Sequence, residues 1–176
     1  MQTEFRSVLT GASLGLGAAL SAPALAADPG MMEVSVTIPQ LKVAEYHRPY
    51  VAIWVEKAGA PAKTVAIWYD HDMKNNEGTK WLRDVRQWWR ASGRSMRFPA
   101  NGVTGATRAP GTHRVAFSRA QLGAQAPGDY VLVIEAAREV GGRELLRIPF
   151  RWPAKAGAAG RAAGKTELGT VSISFR

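Results

Sequence analysis

Beyond residue 30 the chain reads as short runs of apolar positions set between turns. In Glu33–Ile38, Val34, Val36 and Ile38 alternate with Ser35 and Thr37, a period of two that predicts a strand with one buried face. Pro39 bars its continuation inside a sheet. Tyr50–Glu56 and Thr64–Asp70 are apolar, β-branched and aromatic, and the Gly- and Pro-containing stretch Lys57–Lys63 joins them as neighbouring antiparallel strands. At Thr79 the period changes. Trp81, Leu82, Val85, Trp88 and Trp89 fall on one face of a helix that ends near Ser92-Gly93, with Lys80, Arg83, Arg86 and Arg90 on another face. Phe98-Pro99 through Pro110-Gly111 reads as loop, and His113–Phe117 as a short strand. Tyr130–Ala136 and Leu145–Trp152 form a predicted hairpin with a primed turn at Gly141-Gly142. The Ala- and Gly-rich segment 155–165 is predicted as a flexible loop, and Val171, Ile173 and Phe175 alternate in a closing strand.

About seven short strands around one helix predict an all-β fold, an immunoglobulin-like antiparallel β-sandwich with one short helical insertion. Its length of 176 residues suits a single domain. The absence of cysteine excludes disulfides, thiolate metal sites, iron–sulfur clusters and a cysteine nucleophile. The net charge of +9 is spread along the chain without a basic block or a nucleic-acid motif, so it predicts a solvated basic surface and no nucleic-acid partner.

The N-terminus adds a compartment. Arg6 precedes an apolar stretch from Val8 to Leu20, and Ala24-Leu25-Ala26 supplies the small residues that precede signal-peptidase cleavage. The stretch is too short and Gly-rich for a stable membrane span. Residues 1–26 therefore read as a secretory signal peptide and 27–176 as the exported, periplasmic domain.

Candidate chemistry lies in the loop Asn101-Gly102-Val103-Thr104-Gly105-Ala106-Thr107. A threonine hydroxyl is a weak nucleophile, and to accept a phosphoryl group by metal-assisted transfer it must enter another protein's active site. Gly105 and Ala106 remove bulk around Thr107, Gly102 and Gly105 free the backbone, and Arg108 offers a charge to neutralise a phosphodiester. This loop resembles the attachment motif of exported proteins that carry FMN covalently on threonine. There an Asp, often followed by Gly, stands six residues before the acceptor, and Ser or Thr, Gly and Ala lead into it. The resemblance makes Thr107 the acceptor, with Thr104, Gly105 and Ala106 leading in and Gly102 matching the upstream Gly. Asn101 stands where the motif has Asp. The implied partner is a magnesium-dependent FAD:protein FMN transferase.

A second resemblance spans Glu33 to Phe175. It rests on Tyr46-His47-Arg48-Pro49-Tyr50-Val51-Ala52-Ile53-Trp54, on Lys80-Trp81-Leu82 with Trp88-Trp89-Arg90, on Arg108-Ala109-Pro110-Gly111-Thr112-His113, and on Glu167-Leu168-Gly169. These are similar to the predicted periplasmic family called domain of unknown function 2271. That resemblance implies a periplasmic redox role beside a PepSY-type membrane protein, serving a membrane redox or iron-uptake system.

Other residues bear on rival functions. Trp54, Trp68, Trp81, Trp88, Trp89 and Trp152 follow strand and helix burial and are expected mostly in the core, with Trp88 or Trp89 nearest the loop for stacking on a flavin. Asp70-His71-Asp72 with His47 and His113 offers oxygen and imidazole ligands without ligand spacing, so no metal site is assigned. No nucleophile elbow, zinc-protease motif, Walker loop or dinucleotide fingerprint is present. The expectation is a redox carrier rather than an enzyme. Its rivals are a flavin-free accessory module docking through its basic helix or a sandwich edge, and a metal-handling protein.

Overall fold

The computed structural model describes residues 30–122 and 126–176. The signal peptide expected over residues 1–26 lies outside them. The described residues form nine strands: β1 (Met31–Ile38), β2 (Tyr50–Glu56), β3 (Lys63–Trp68), β4 (Thr104–Gly105), β5 (Gly111–Ser118), β6 (Gly128–Ala137), β7 (Arg143–Trp152), β8 (Gly157–Ala163) and β9 (Thr170–Phe175). They build an all-β sandwich from a four-stranded sheet, ordered β5-β1-β9-β8, and a five-stranded sheet, ordered β4-β3-β2-β6-β7. Adjacent strands are antiparallel except β3 and β4, which run parallel.

The two hydropathy patterns follow from the layering. β1 alternates buried and half-buried residues because only its Met32, Val34, Val36 and Ile38 face enters the inter-sheet core. β2 is buried from Tyr50 through Val55 because its sheet is covered on both faces. Val51, Ile53 and Val55 meet the other sheet, whereas Tyr50, Ala52 and Trp54 join a second core beneath the helical insertion. A strand covered on both sides needs an unbroken apolar run.

The insertion, residues 74–95, is not the single helix that the sequence predicts. It is a 3-10 segment (Lys74–Asp84), a short helix α1 (Arg86–Ala91) and a further 3-10 turn (Gly93–Ser95). Asn75 and Asn76 take left-handed φ values of 54° and 55° inside the first segment. Leu82, Val85 and Trp88 are fully buried at a spacing of three, and the tighter 3-10 winding leaves Trp81 41 % exposed. A distant carboxylate caps α1: Glu135 Oε2 on β6 accepts the N–H groups of Gln87 at 2.8 Å and Trp88 at 2.9 Å. Burial pushes the Glu135 carboxyl above its ordinary pKa, while those donors and Arg143 pull it back.

Three further expectations are corrected. Segment 155–165, expected as a flexible loop, contains strand β8, which pairs with β9. A ladder needs only backbone groups, and small residues let β8 approach β7 closely: a Cβ on Gly160 would stand 2.5 Å from Ile148 Cγ2. Within the loop expected from Phe98 to Gly111, Thr104 and Gly105 form β4. The β6–β7 turn spans Arg138 to Gly142, closed by the Arg138 N–H on the Gly142 carbonyl at 3.1 Å. Its left-handed residue is Val140, φ 50°, rather than either glycine. Gly141 and Gly142 are needed for space instead, since added Cβ atoms would meet Arg138 Cζ at 2.4 Å and Glu167 Oε1 at 2.8 Å.

Candidate functional site

Parallel pairing places Thr107. Ile67 faces Thr104 and Trp68 faces Gly105 in the β3–β4 register, and the Tyr69 N–H donates to the Gly105 carbonyl at 3.0 Å. Two residues beyond the Trp68–Gly105 pair the chains bring Asp70 and Thr107 together. The Thr107 hydroxyl donates to Asp70 Oδ1 at 3.0 Å, and Thr107 is only 9 % exposed. The acceptor candidate is thus a buried, hydrogen-bonded residue rather than the open loop threonine that its small neighbours suggest.

Those neighbours have structural work of their own. A Cβ on Gly105 would lie 3.1 Å from Trp68 Cδ1, so this glycine seats the loop on the indole. The Arg108 guanidinium stands 5.3 Å from the Trp68 ring centroid, a cation–π contact. Thr104 Oγ1 accepts the Ala100 N–H at 2.9 Å. Asn101 and Ala106 are exposed, and Gly102, φ 71°, supplies the turn between Ala100 and Thr104. The carboxylate that meets the Thr107 hydroxyl therefore comes from Asp70, two residues beyond β3.

Thr107 lines a cleft of about 950 Å³. Asp70, Tyr50 and Tyr46 line it too, as does the β6–β7 turn from Arg138 to Gly142. Met73, Trp81 and Val140, three of the four large apolar side chains exposed among the described residues, all border it. Four arginines, Arg48, Arg86, Arg138 and Arg143, stand against Asp70, Asp84 and Glu139 in its walls. Burial pushes the Tyr50 hydroxyl up to about 12, and it donates to the Gly78 carbonyl at 3.1 Å.

One wall is a buried ion pair. Arg138 Nε and Nη2 donate to Glu167 Oε2 and Oε1 at 2.9 and 3.1 Å, and the Gly142 N–H donates to Oε1 at 2.8 Å. The two side chains are 6 % and 4 % exposed. Arg138 Nη1 and the Tyr46 hydroxyl are also buried, and neither has a hydrogen-bond partner.

These segments, distant in sequence, meet the matched family directly. The model of the predicted periplasmic protein family DUF2271 matches residues 31–170. The chain belongs to the DUF2271 family. Among the curated proteins and among the solved structures nothing matches it significantly. Several segments by which the sequence resembles DUF2271 converge on the cleft: Tyr46 to Tyr50, Trp81, and Glu167 behind Arg138.

The remaining candidates are dispersed. Trp54, Trp68, Trp88 and Trp152 are buried in the cores. Trp88 packs edge-on against Trp89 and Phe98, and Trp68, not Trp88 or Trp89, lies under the Thr107 loop. His71 pairs with Asp72 at 2.8 Å, His47 with Glu45 at 2.9 Å, and His113 Nε2 contacts the Ala109 carbonyl at 2.7 Å. Among the described residues no three His, Asp or Glu side chains are grouped to hold a metal. Lys80 pairs with Glu77 at 2.8 Å, and Arg86 turns to the cleft, so the basic helix face is divided.

Proposed function

We propose that this DUF2271 protein is an exported electron-transfer protein that carries FMN covalently on Thr107 and serves a membrane redox or iron-uptake system. The observation that carries the reading is that the threonine of the Thr-Gly-Ala-Thr motif lines a cleft whose volume lies in the range of cofactor sites, roughly 300 to 1,000 Å³. Residues 1–26 act as its cleaved signal peptide.

Attachment uses the chain's own groups. The Thr107 oxygen forms a P–O bond to the flavin-side phosphorus of FAD, the pyrophosphate P–O bond breaks, AMP departs, and the hydroxyl proton passes to a base. Asp70 Oδ1 already accepts that hydrogen at 3.0 Å. The bound flavin supplies one- and two-electron transfer. The apolar rim of Met73, Trp81 and Val140 offers contacts for the ring, and Arg48 and Arg86 attract the phosphodiester. The fit rests on buried donors without partners, Tyr46 and Arg138, and on the mixed apolar and basic lining.

Co-expression with an FAD:protein FMN transferase tests the reading. Flavin fluorescence should migrate with the wild-type chain on a denaturing gel and be absent from Thr107→Val, which keeps the side-chain shape without the hydroxyl. The same exposed Trp81, Met73 and Val140 rim also favours a second reading, a flavin-free accessory module docking on a membrane protein through the cleft mouth. A wild-type chain without fluorescence, beside a transferase active on another acceptor, selects that second reading.

A further inference from the structure

Tyr46 and Arg138 present two buried donors that the fold leaves unused. Arg138 is clamped by Glu167 through Nε and Nη2, so the free Nη1 sits on the other edge of a guanidinium that cannot rotate away. Its Cζ stands 6.0 Å from the Tyr46 ring centroid, and both residues line the cleft that Thr107 lines. Buried donors left unpaired are costly, and native chains keep few of them without a use.

The chemistry of the pair narrows what it takes. Glu167 neutralises the guanidinium, so the pair offers hydrogens with little net charge, which suits ring carbonyl oxygens better than a phosphate. Burial raises the pKa of Tyr46, so its hydroxyl stays protonated and able to donate. Trp81 in the same cleft offers a flat apolar face for a ring.

We propose that Tyr46 and Arg138 form a donor pair for the carbonyl-bearing pyrimidine edge of a flavin ring in this cleft; the inference rests on attachment at Thr107. Two electrons from dithionite and one proton from solvent would leave a bound flavin ring with one additional negative charge, concentrated on that edge. Donors there bind the reduced form more tightly than the oxidised form, and the midpoint potential rises.

The test uses the flavin-loaded protein in a dithionite titration against a reference dye, with absorbance recorded throughout. Tyr46→Phe should load fully and lose about tenfold of the preference for the reduced form, a potential lower by about 30 mV for a two-electron couple. The double variant Arg138→Met/Glu167→Met replaces the ion pair without stranding a buried charge and should lower the potential as well. Should the double variant not fold, Tyr46→Phe decides alone. Full loading with an unchanged potential and spectrum overturns the donor pair and leaves attachment standing. A wild-type chain that never loads, beside an active transferase, overturns both.

Discussion

Asp70 and Thr107 are 37 positions apart in sequence, yet the Thr107 hydroxyl donates to the Asp70 carboxylate at 3.0 Å. Two parallel strands ending side by side create that meeting. In the proposed attachment, Asp70 would receive the hydroxyl proton, and a positioned base contributes on the order of a hundredfold or more in rate. Asp70→Asn should therefore slow attachment at least about tenfold in a time course with purified transferase and FAD. An unchanged rate would assign the proton to the transferase alone.

Asn101 occupies an exposed turn where the attachment motif has Asp. A substitution there should change stability by no more than about 0.5 kcal/mol, so any effect on loading reports recognition by the transferase. Asn101→Asp is expected to raise the modified fraction from a partly loaded starting point, read by intact mass. No rise would mean that position 101 matters little to the transferase.

Glu135 holds the helical insertion to the five-stranded sheet by accepting the N–H groups of Gln87 and Trp88. Glu135→Leu strands both donors and should cost about 2 to 3 kcal/mol in chemical denaturation. Glu135→Gln keeps an acceptor oxygen and should cost less. Equal losses would show that capping is not what Glu135 contributes.

Glu144 ties the segment before β9 to β7, accepting the N–H groups of Lys165, Thr166 and Leu168 at 2.6, 3.0 and 2.8 Å. Burial disfavours its carboxylate, but these donors outweigh it and hold the pKa below the ordinary 4.5. With the folded value depressed, its stabilisation is complete above 4.5 and is lost as pH falls through the lowered value. Wild type should lose stability more steeply than Glu144→Gln as pH falls below the ordinary 4.5. Parallel curves would contradict this assignment.

Local pattern carried the sandwich. The alternation of Val34, Val36 and Ile38 and the unbroken run of Tyr50 to Val55 each reflect how many faces of a strand are covered, and both were legible. β8 was not, because a strand of Ala and Gly packs through its backbone and leaves no hydropathy signal. Trp81 was misplaced because 3-10 winding shifts its face relative to a 3.6-residue period. Of the candidate site, the Thr107 motif was legible as a short local string. Asp70 is not linked to it by any local pattern, since only the β3–β4 pairing joins them. Tyr46 and Glu167 stand in segments that carry the family resemblance, but their meeting with Arg138 is not legible, because three separate segments must fold before they meet.

The most direct test is the intact mass of the exported chain after co-expression with an active FAD:protein FMN transferase, followed by peptide mapping. The account predicts a gain of one FMN less one water, located on the peptide that contains Thr107. An unmodified chain, or flavin mapped to another residue, would contradict it.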